Sequence, residues 1–174
     1  EILIGLVGSE MCIRDRFSFE NSLRDTLNAR DETHECALLL VDIDNMKRMN
    51  DELGKLVGDM FLENVAEFLT SIFRGSDIIG RVGGDEFMVY VRNLKSEDWL
   101  AGKCSRIQHE IKAISNENGN INMTCSIGAA VAGKVPVSFE QMYTQADDSL
   151  YKAKTRGRGK YVLHYVHKER EVIH

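Results

Sequence analysis

Phe19, Leu23 and Leu27 recur at four-residue intervals and predict an amphipathic helix from Phe17 to about Arg30. The pattern then changes. Ala37 to Asp44, "ALLLVDID", is a continuous apolar run ending in acids, as in a strand covered on both faces at the centre of a sheet. Val57, Phe61, Val65, Phe68, Leu69 and Ile72 return to helical spacing. Two apolar stretches, "DIIGRV" and "EFMVYVR", flank two glycines and read as a hairpin. A helix near Ser96 to Ser115 follows, and "NENGN" breaks it. Ile121 to Val131 predicts a strand. Ser138 with Gln141 forms a capping-box pattern, opening a helix that buries Phe139, Met142, Ala146, Leu150 and Ala153. "YVLHYV" closes the series as a strand. The order predicts an α/β (α+β) fold, a βαββαβ core with helices flanking a mainly antiparallel sheet.

The first residues fit neither period. Gly5 to Arg16, "GLVGSEMCIRDR", reads as the translation of a sequencing-library adapter, one frame of which gives Leu-Val-Gly-Ser-Glu-Met-Cys-Ile-Arg-Asp. Residues 1–16 are therefore set apart as a non-native segment, and 17–174 are taken as one domain. With 174 residues and 43% hydrophobic content, one domain can bury a full core. Lys and Arg number 22 against 27 Asp and Glu, a net charge of -5, with no basic block. That balance argues against nucleic acid or an anionic membrane as partner, so any bound phosphates need a few placed cations and a metal. Cys12, Cys36, Cys104 and Cys125 are widely spaced and read as reduced thiols in a cytoplasmic setting. No apolar run approaches the roughly 18 residues of a membrane span.

The candidate chemistry lies in carboxylates. Asp42 and Asp44 are two apart on one strand and share a face, while Asp85 sits at the tip of the hairpin. Acids on adjacent strand ends suit hard cations such as magnesium, which keeps waters and takes substrate phosphates. Two such ions roughly 3.5–4 Å apart stabilise attacking and leaving oxygens in phosphoryl transfer. Any one of these acids alone reads more simply as a solvated strand end. Their joint appearance with Gly83 and Gly84 is what calls for chemistry. His34, His109, His164, His167 and His174 make no metal spacing, and Cys125 and the serines lack a visible base partner.

"GGDEF" at Gly83 to Phe87, together with "VDIDNMKRMND", "VGD", "RGSD", "SIGAAV" and "ADDSLYKAKTRGRG", resembles the GGDEF diguanylate cyclase family from about Phe17 to Val166. The resemblance implies a fold like the palm core of nucleotide cyclases. It implies that two GTP molecules, one on each protomer of a homodimer, condense to cyclic di-GMP and two pyrophosphates. It assigns metal binding, Mg2+ or Mn2+ at two ions per site, to Asp42, the Ile43 carbonyl and Asp85. Glu86 assists the metal and is a candidate to help deprotonate the attacking 3′-hydroxyl. Gly83 and Gly84 let a nucleotide approach the backbone.

The same resemblance gives Asn50 and Asp59 the guanine, whose ring N–H and exocyclic amine a carboxylate accepts. Asn45, Met46 and Lys47 match a phosphate-cradling turn. Lys154 and Arg158, four apart, match cations on the outer phosphates, although on the helix alone they read as a basic end favoured by the dipole. Arg74 and Asp77, the ends of "RGSD", match an RxxD product-inhibition site, with a solvated surface pair as the bland alternative. An upstream sensor is expected to drive the domain, with no membrane segment in this chain.

Two departures stand out. Lys55 occupies a position where the family usually has histidine, which bears on nucleotide affinity. The family's opening segment, D-x-L-T-G-L-x-N-R, is not visible where the adapter-like residues stand. Two other readings are weighed. One is a non-catalytic GGDEF domain acting as a GTP or cyclic di-GMP receptor, against which Asp42, Asp85 and Glu86 argue. The other is a palm-type polymerase, which needs a basic template groove that the acidic balance does not offer.

Overall fold

The strand predicted to be central is central. In a computed structural model that describes residues 13–30, 32–117, 121–166 and 170–173, β1 (Cys36–Asp44) lies inside a six-stranded sheet. The elements in chain order are α1 (Ile13–Asn28), β1, α2 (Met46–Leu53), α3 (Lys55–Ile72), β2 (Ile78–Arg81), β3 (Glu86–Val91), α4 (Glu97–Glu117), β4 (Thr124–Ala132), α5 (Phe139–Thr155), β5 (Tyr161–Val166) and β6 (Arg170–Ile173). The sheet order is β2-β3-β1-β4-β5-β6, and only the β4–β5 pair is parallel, joined by α5. That parallel pair needs a crossover helix, whereas the antiparallel β2–β3 pair needs only a short turn.

Alternation along β1 divides the core. Ala37, Leu39, Val41 and Ile43 join the apolar cluster of α2, α3 and α4, with Phe61, Val65, Leu100 and Ile107. Cys36, Leu38 and Leu40 face the other way, onto Phe19, Leu23 and Leu27 of α1 and Met142, Ala146 and Leu150 of α5. A strand covered on both sides explains the unbroken apolar run. The even-numbered face decides the chemistry below, because Asp42 and Asp44 continue it toward α5. Helix α5 lies very close to β4: a Cβ built on Gly128 would sit 2.1 Å from the Ala146 carbonyl oxygen. Only glycine permits that approach.

The capping box forms as expected, the Gln141 N–H donating to Ser138 Oγ and the Ser138 N–H to Gln141 Oε1. Cys36, Cys104 and Cys125 are free and buried. Among the described residues no helix is long and apolar enough to cross a membrane. Two features go beyond the sequence pattern. Residues 46–53 form a helix of their own, separated from α3 by Gly54 at φ 87°, and β6 extends the sheet beyond "YVLHYV". The end of the "NENGN" break, residues 118–120, lies outside the described residues, as do residues 1–12 of the adapter-like segment.

Helix α1 begins at Ile13, within the last residues of that segment, while its described buried face begins at Phe19. Deleting residues 1–16 is therefore expected to lower the melting temperature by less than about 4 °C, the equivalent of about 1 kcal/mol in a domain of this size. Thermal unfolding of the two lengths checks this. A loss several times larger would show that the first residues pack natively.

Candidate active site

At one end of the sheet, strand register brings the acids together. Asp42 pairs with Glu86 across β1 and β3, and the Ile43 N–H donates to the Asp85 carbonyl at 3.0 Å. The hairpin tip is thus tied by its backbone to the end of β1. Two further bonds close the turn, from the N–H groups of Val82 and Gly83 to the Glu86 carbonyl at 2.8 and 3.2 Å. Neither Gly83 nor Gly84 has a positive φ, so the turn itself does not need glycine. Clearance is the better reason: a Cβ on Gly83 would lie 3.1 Å from Glu86 Cβ and 3.3 Å from its Oε2, and Gly84 faces open space.

Arg81 is a residue that the sequence reading missed. Its Nε donates to the Gly83 and Gly84 carbonyls at 3.2 and 3.1 Å, and its Nη2 to Gly84 at 2.5 Å. The guanidinium therefore clamps the carbonyls of both glycines. An arginine two residues before a glycine pair was the available signal.

Helix α5 supplies the facing cation. Lys154 Nζ lies 2.7 Å from Asp42 Oδ2, and the Asp42 side chain is 15% exposed. Burial raises the Asp42 pKa above its ordinary value; the hydrogen bond and charge of Lys154 oppose this, and Asp85 and Asp44 add to it. A half-buried carboxylate crowded by other carboxylates is a place where a cation is favoured. Among the described residues no group of three or more His, Cys, Asp or Glu side chains forms a ready-made cage. Magnesium is bound through one or two carboxylates, with waters and substrate phosphates completing its shell. The hard oxygens of Asp42, Asp85 and the Ile43 carbonyl fit such an ion.

Asp44 behaves differently from Asp42. It is buried, and its two oxygens accept from Thr124 Oγ1, Ser126 Oγ and the Gly159 N–H. The Nε of Arg158 lies 3.8 Å from Asp44 Oδ1. The two acids share a face, as expected, but only Asp42 is left toward the hairpin acids.

Helix α2 begins two residues beyond Asp44. Asn45, at its N-cap, has φ 63° and makes no capping side-chain hydrogen bond, so the first-turn N–H groups are not met by that side chain. Lys47 is exposed and the Met46 side chain is buried, which leaves Met46 only its backbone to offer a ligand. Across the break at Gly54, Asn50 of α2 lies against α3: a Cβ on Gly58 would be 2.0 Å from Asn50 Oδ1. Asp59, the other candidate guanine reader, is the next residue along α3. Lys55 is exposed at the first position of α3.

Arg74 and Asp77 are elsewhere. Asp77 is buried, and its carboxylate accepts the N–H groups of Arg74 at 3.0 Å and Arg92 at 3.1 Å. Arg92 follows the last residue of β3, whereas Glu86 is its first, so the two sites are about 20 Å apart along the strand. With both oxygens engaged, Asp77 holds the turn from which Arg74 projects. The Arg74 guanidinium lies 5.3 Å from the Trp99 ring centroid, and its Nη2 is buried without a hydrogen-bond partner among the described residues.

A profile of the family described as "Diguanylate cyclase, GGDEF domain" matches residues 12–160. The chain belongs to the GGDEF family. This GGDEF domain is 34% identical over 151 residues to the diguanylate cyclase DgcS of Shewanella oneidensis, covering 86% of this chain and 49% of that protein. It is 34% identical over 141 residues to diguanylate cyclase A of Treponema denticola, covering 79% of this chain and 38% of that one. The domain thus spans half or less of the length of these relatives. Among solved structures, it resembles a microbial GGDEF domain described in its interaction with cyclic di-GMP, with a TM-score of 0.72 and 30% identity over 87% of this chain and 90% of that one. The expected α/β fold and family are both borne out by these likenesses.

Proposed function

We propose that this GGDEF domain is a diguanylate cyclase that condenses two GTP molecules, one on each of two protomers, into cyclic di-GMP with release of two pyrophosphates. The observation that carries this reading is the convergence of Asp42, Asp85 and Glu86 from two strands with Lys154 of α5 at a single sheet end. In each half-reaction the 3′-oxygen of one GTP bonds to the α-phosphorus of the other, and the bond to pyrophosphate breaks. Glu86 is suited to receive the hydroxyl proton from its position opposite Asp42. Lys154 and Arg158 draw the outer phosphates and favour the charge that builds on the leaving group. First-turn amides of α2 and Lys47 hold phosphate oxygens. Asn50 and Asp59 read guanine, and Lys55 borders the same nucleotide. When bound, two magnesium or manganese ions supply positive charge to the attacking and leaving oxygens.

Product inhibition through Arg74 and Asp77 belongs to the same proposal. Burial and then Arg106 lower the Lys103 pKa, with Arg74 and Lys95 acting in the same direction against Asp77. Crowded cations beside the Trp99 ring and an Arg74 nitrogen with no partner among the described residues favour a planar, anionic ligand such as cyclic di-GMP. Charged hydrogen bonds contribute roughly 1.5–3 kcal/mol. Arg74→Ala is therefore expected to raise the inhibition constant for cyclic di-GMP by roughly ten- to a hundredfold. The uninhibited rate should hardly change, since the acids are at the other end of β3. Rate series with added product for parent and variant check this, and identical inhibition curves would reduce "RGSD" to a structural turn.

The function itself is tested by incubating the domain with GTP and magnesium and separating the products. Cyclic di-GMP is the expected product. A folded domain that binds GTP or cyclic di-GMP without turnover would instead be a receptor.

A further inference from the structure

We propose that Asp44 is a positioning residue that holds Arg158 in the one backbone conformation from which it reaches the nucleotide phosphates. This rests on the GTP reading above. The turn after α5 is unusual: Gly157, Arg158 and Gly159 have φ of 112°, 58° and 59° in succession. Among the described residues only Asn45, Asn93 and Arg158 are non-glycine residues with positive φ. Asparagine tolerates that region through local side-chain hydrogen bonding; Arg158 instead donates its backbone N–H to the Ala153 carbonyl at 3.2 Å, which closes the end of α5. The peptide after Arg158, which carries the Gly159 N–H, still needs an anchor.

Asp44 meets that need from the end of β1. Its Oδ2 accepts the Gly159 N–H at 3.1 Å and Thr124 Oγ1 at 2.7 Å, while Oδ1 accepts Ser126 Oγ at 2.9 Å and lies 3.8 Å from Arg158 Nε. One buried carboxylate thus joins β1, β4 and the α5–β5 turn. Arg158 is tied inward at Nε, yet its side chain is 57% exposed. Lys154, one turn earlier, is on Asp42. The result is a pair of cations whose spacing is fixed by two acids of one strand: Asp42 meets Lys154, and Asp44 sets the backbone that carries Arg158. The second acid of the Asp-x-Asp sequence, Asp44, is then a support for the phosphate side of the site rather than another metal ligand.

The test is calorimetric binding of 3′-deoxyguanosine triphosphate, which lacks the attacking hydroxyl, with guanosine as a phosphate-free control. Asp44→Asn is nearly isosteric, and the Thr124 and Ser126 hydroxyls can rotate to suit the amide. Removing a negative charge near a triphosphate tightens binding by itself. Lost positioning acts in the opposite direction, so the sign is informative. Asp44→Asn is expected to weaken the triphosphate about tenfold. Guanosine affinity should stay within about twofold. Arg158→Ala should cost a similar amount, and the double variant no more than Arg158→Ala alone, because Asp44 acts through Arg158.

Should Asp44→Asn fail to fold, Thr124→Val keeps the carboxylate and removes one of its anchors. It is expected to weaken the triphosphate about threefold with Arg158 present and not in the Arg158→Ala background. Tighter or unchanged triphosphate binding, equal loss of guanosine, or losses that simply add would overturn the proposal. A folded parent that binds neither ligand would overturn the GTP reading itself, and this inference with it.

Discussion

Asp85→Asn is expected to lower GTP turnover by roughly two to three orders of magnitude, the loss seen when a group aimed at developing transition-state charge is removed. The fold should survive. Asp85 is tied to β1 through its backbone carbonyl, which accepts the Ile43 N–H, and asparagine keeps that carbonyl. What disappears is a negative charge beside Asp42, whose own ionised form burial already disfavours. A neutral amide holds a hard divalent cation less well than a carboxylate does. The check is single-turnover kinetics over a magnesium series, with a melting curve for parent and variant. Parent-like turnover would show that the hairpin acid is not a metal ligand, and a collapsed melting temperature would move its role to folding.

Selection of guanine over adenine is the second large effect. Gly58 leaves room for the Asn50 amide against α3, and Asp59 is the next residue along that helix. Adenine offers neither the ring N–H nor the exocyclic amine at the guanine positions, so both side chains would lose their partners. Leaving such groups unpaired in a desolvated pocket costs about 1–3 kcal/mol each. Sites built on this principle reject the analogue by roughly 10⁴-fold or more. GTP is therefore expected to exceed ATP in kcat/KM by at least about a thousandfold, and Asp59→Ala to narrow that gap by about ten- to a hundredfold. Competition between the two nucleotides measures the ratio. Equal use of ATP and GTP would remove Asn50 and Asp59 from the base site.

Local patterns carried a good part of this account. The two-faced burial of β1, the hairpin around Gly83 and Gly84, and the Ser138 capping box all follow from residues close in sequence. Period and turn chemistry suffice for them. Residues 45–53 were harder. Met46 and Met49 bury one face of α2, but eight residues interrupted by Gly54 are too short for a helical period to stand out beside α3.

Partnerships across the chain were not legible from pattern. The Asp42–Lys154 pair, the Asp44 bonds to Thr124, Ser126 and Gly159, and the Asp77 bond to Arg92 depend on strand order and on where α5 returns to the sheet. Sequence spacing could put Asp42 and Asp44 on one face. It could not tell which acid would be occupied by hydroxyls from β4 and which would face the hairpin.

The central claim is catalysis by the acids at this sheet end, and product analysis tests it most directly. The domain is incubated with GTP and magnesium beside an Asp85→Asn control, and nucleotides and pyrophosphate are quantified. The account predicts cyclic di-GMP and pyrophosphate in a one-to-two ratio from the parent, and neither above background from the control. Intact GTP from a folded, GTP-binding parent would contradict it.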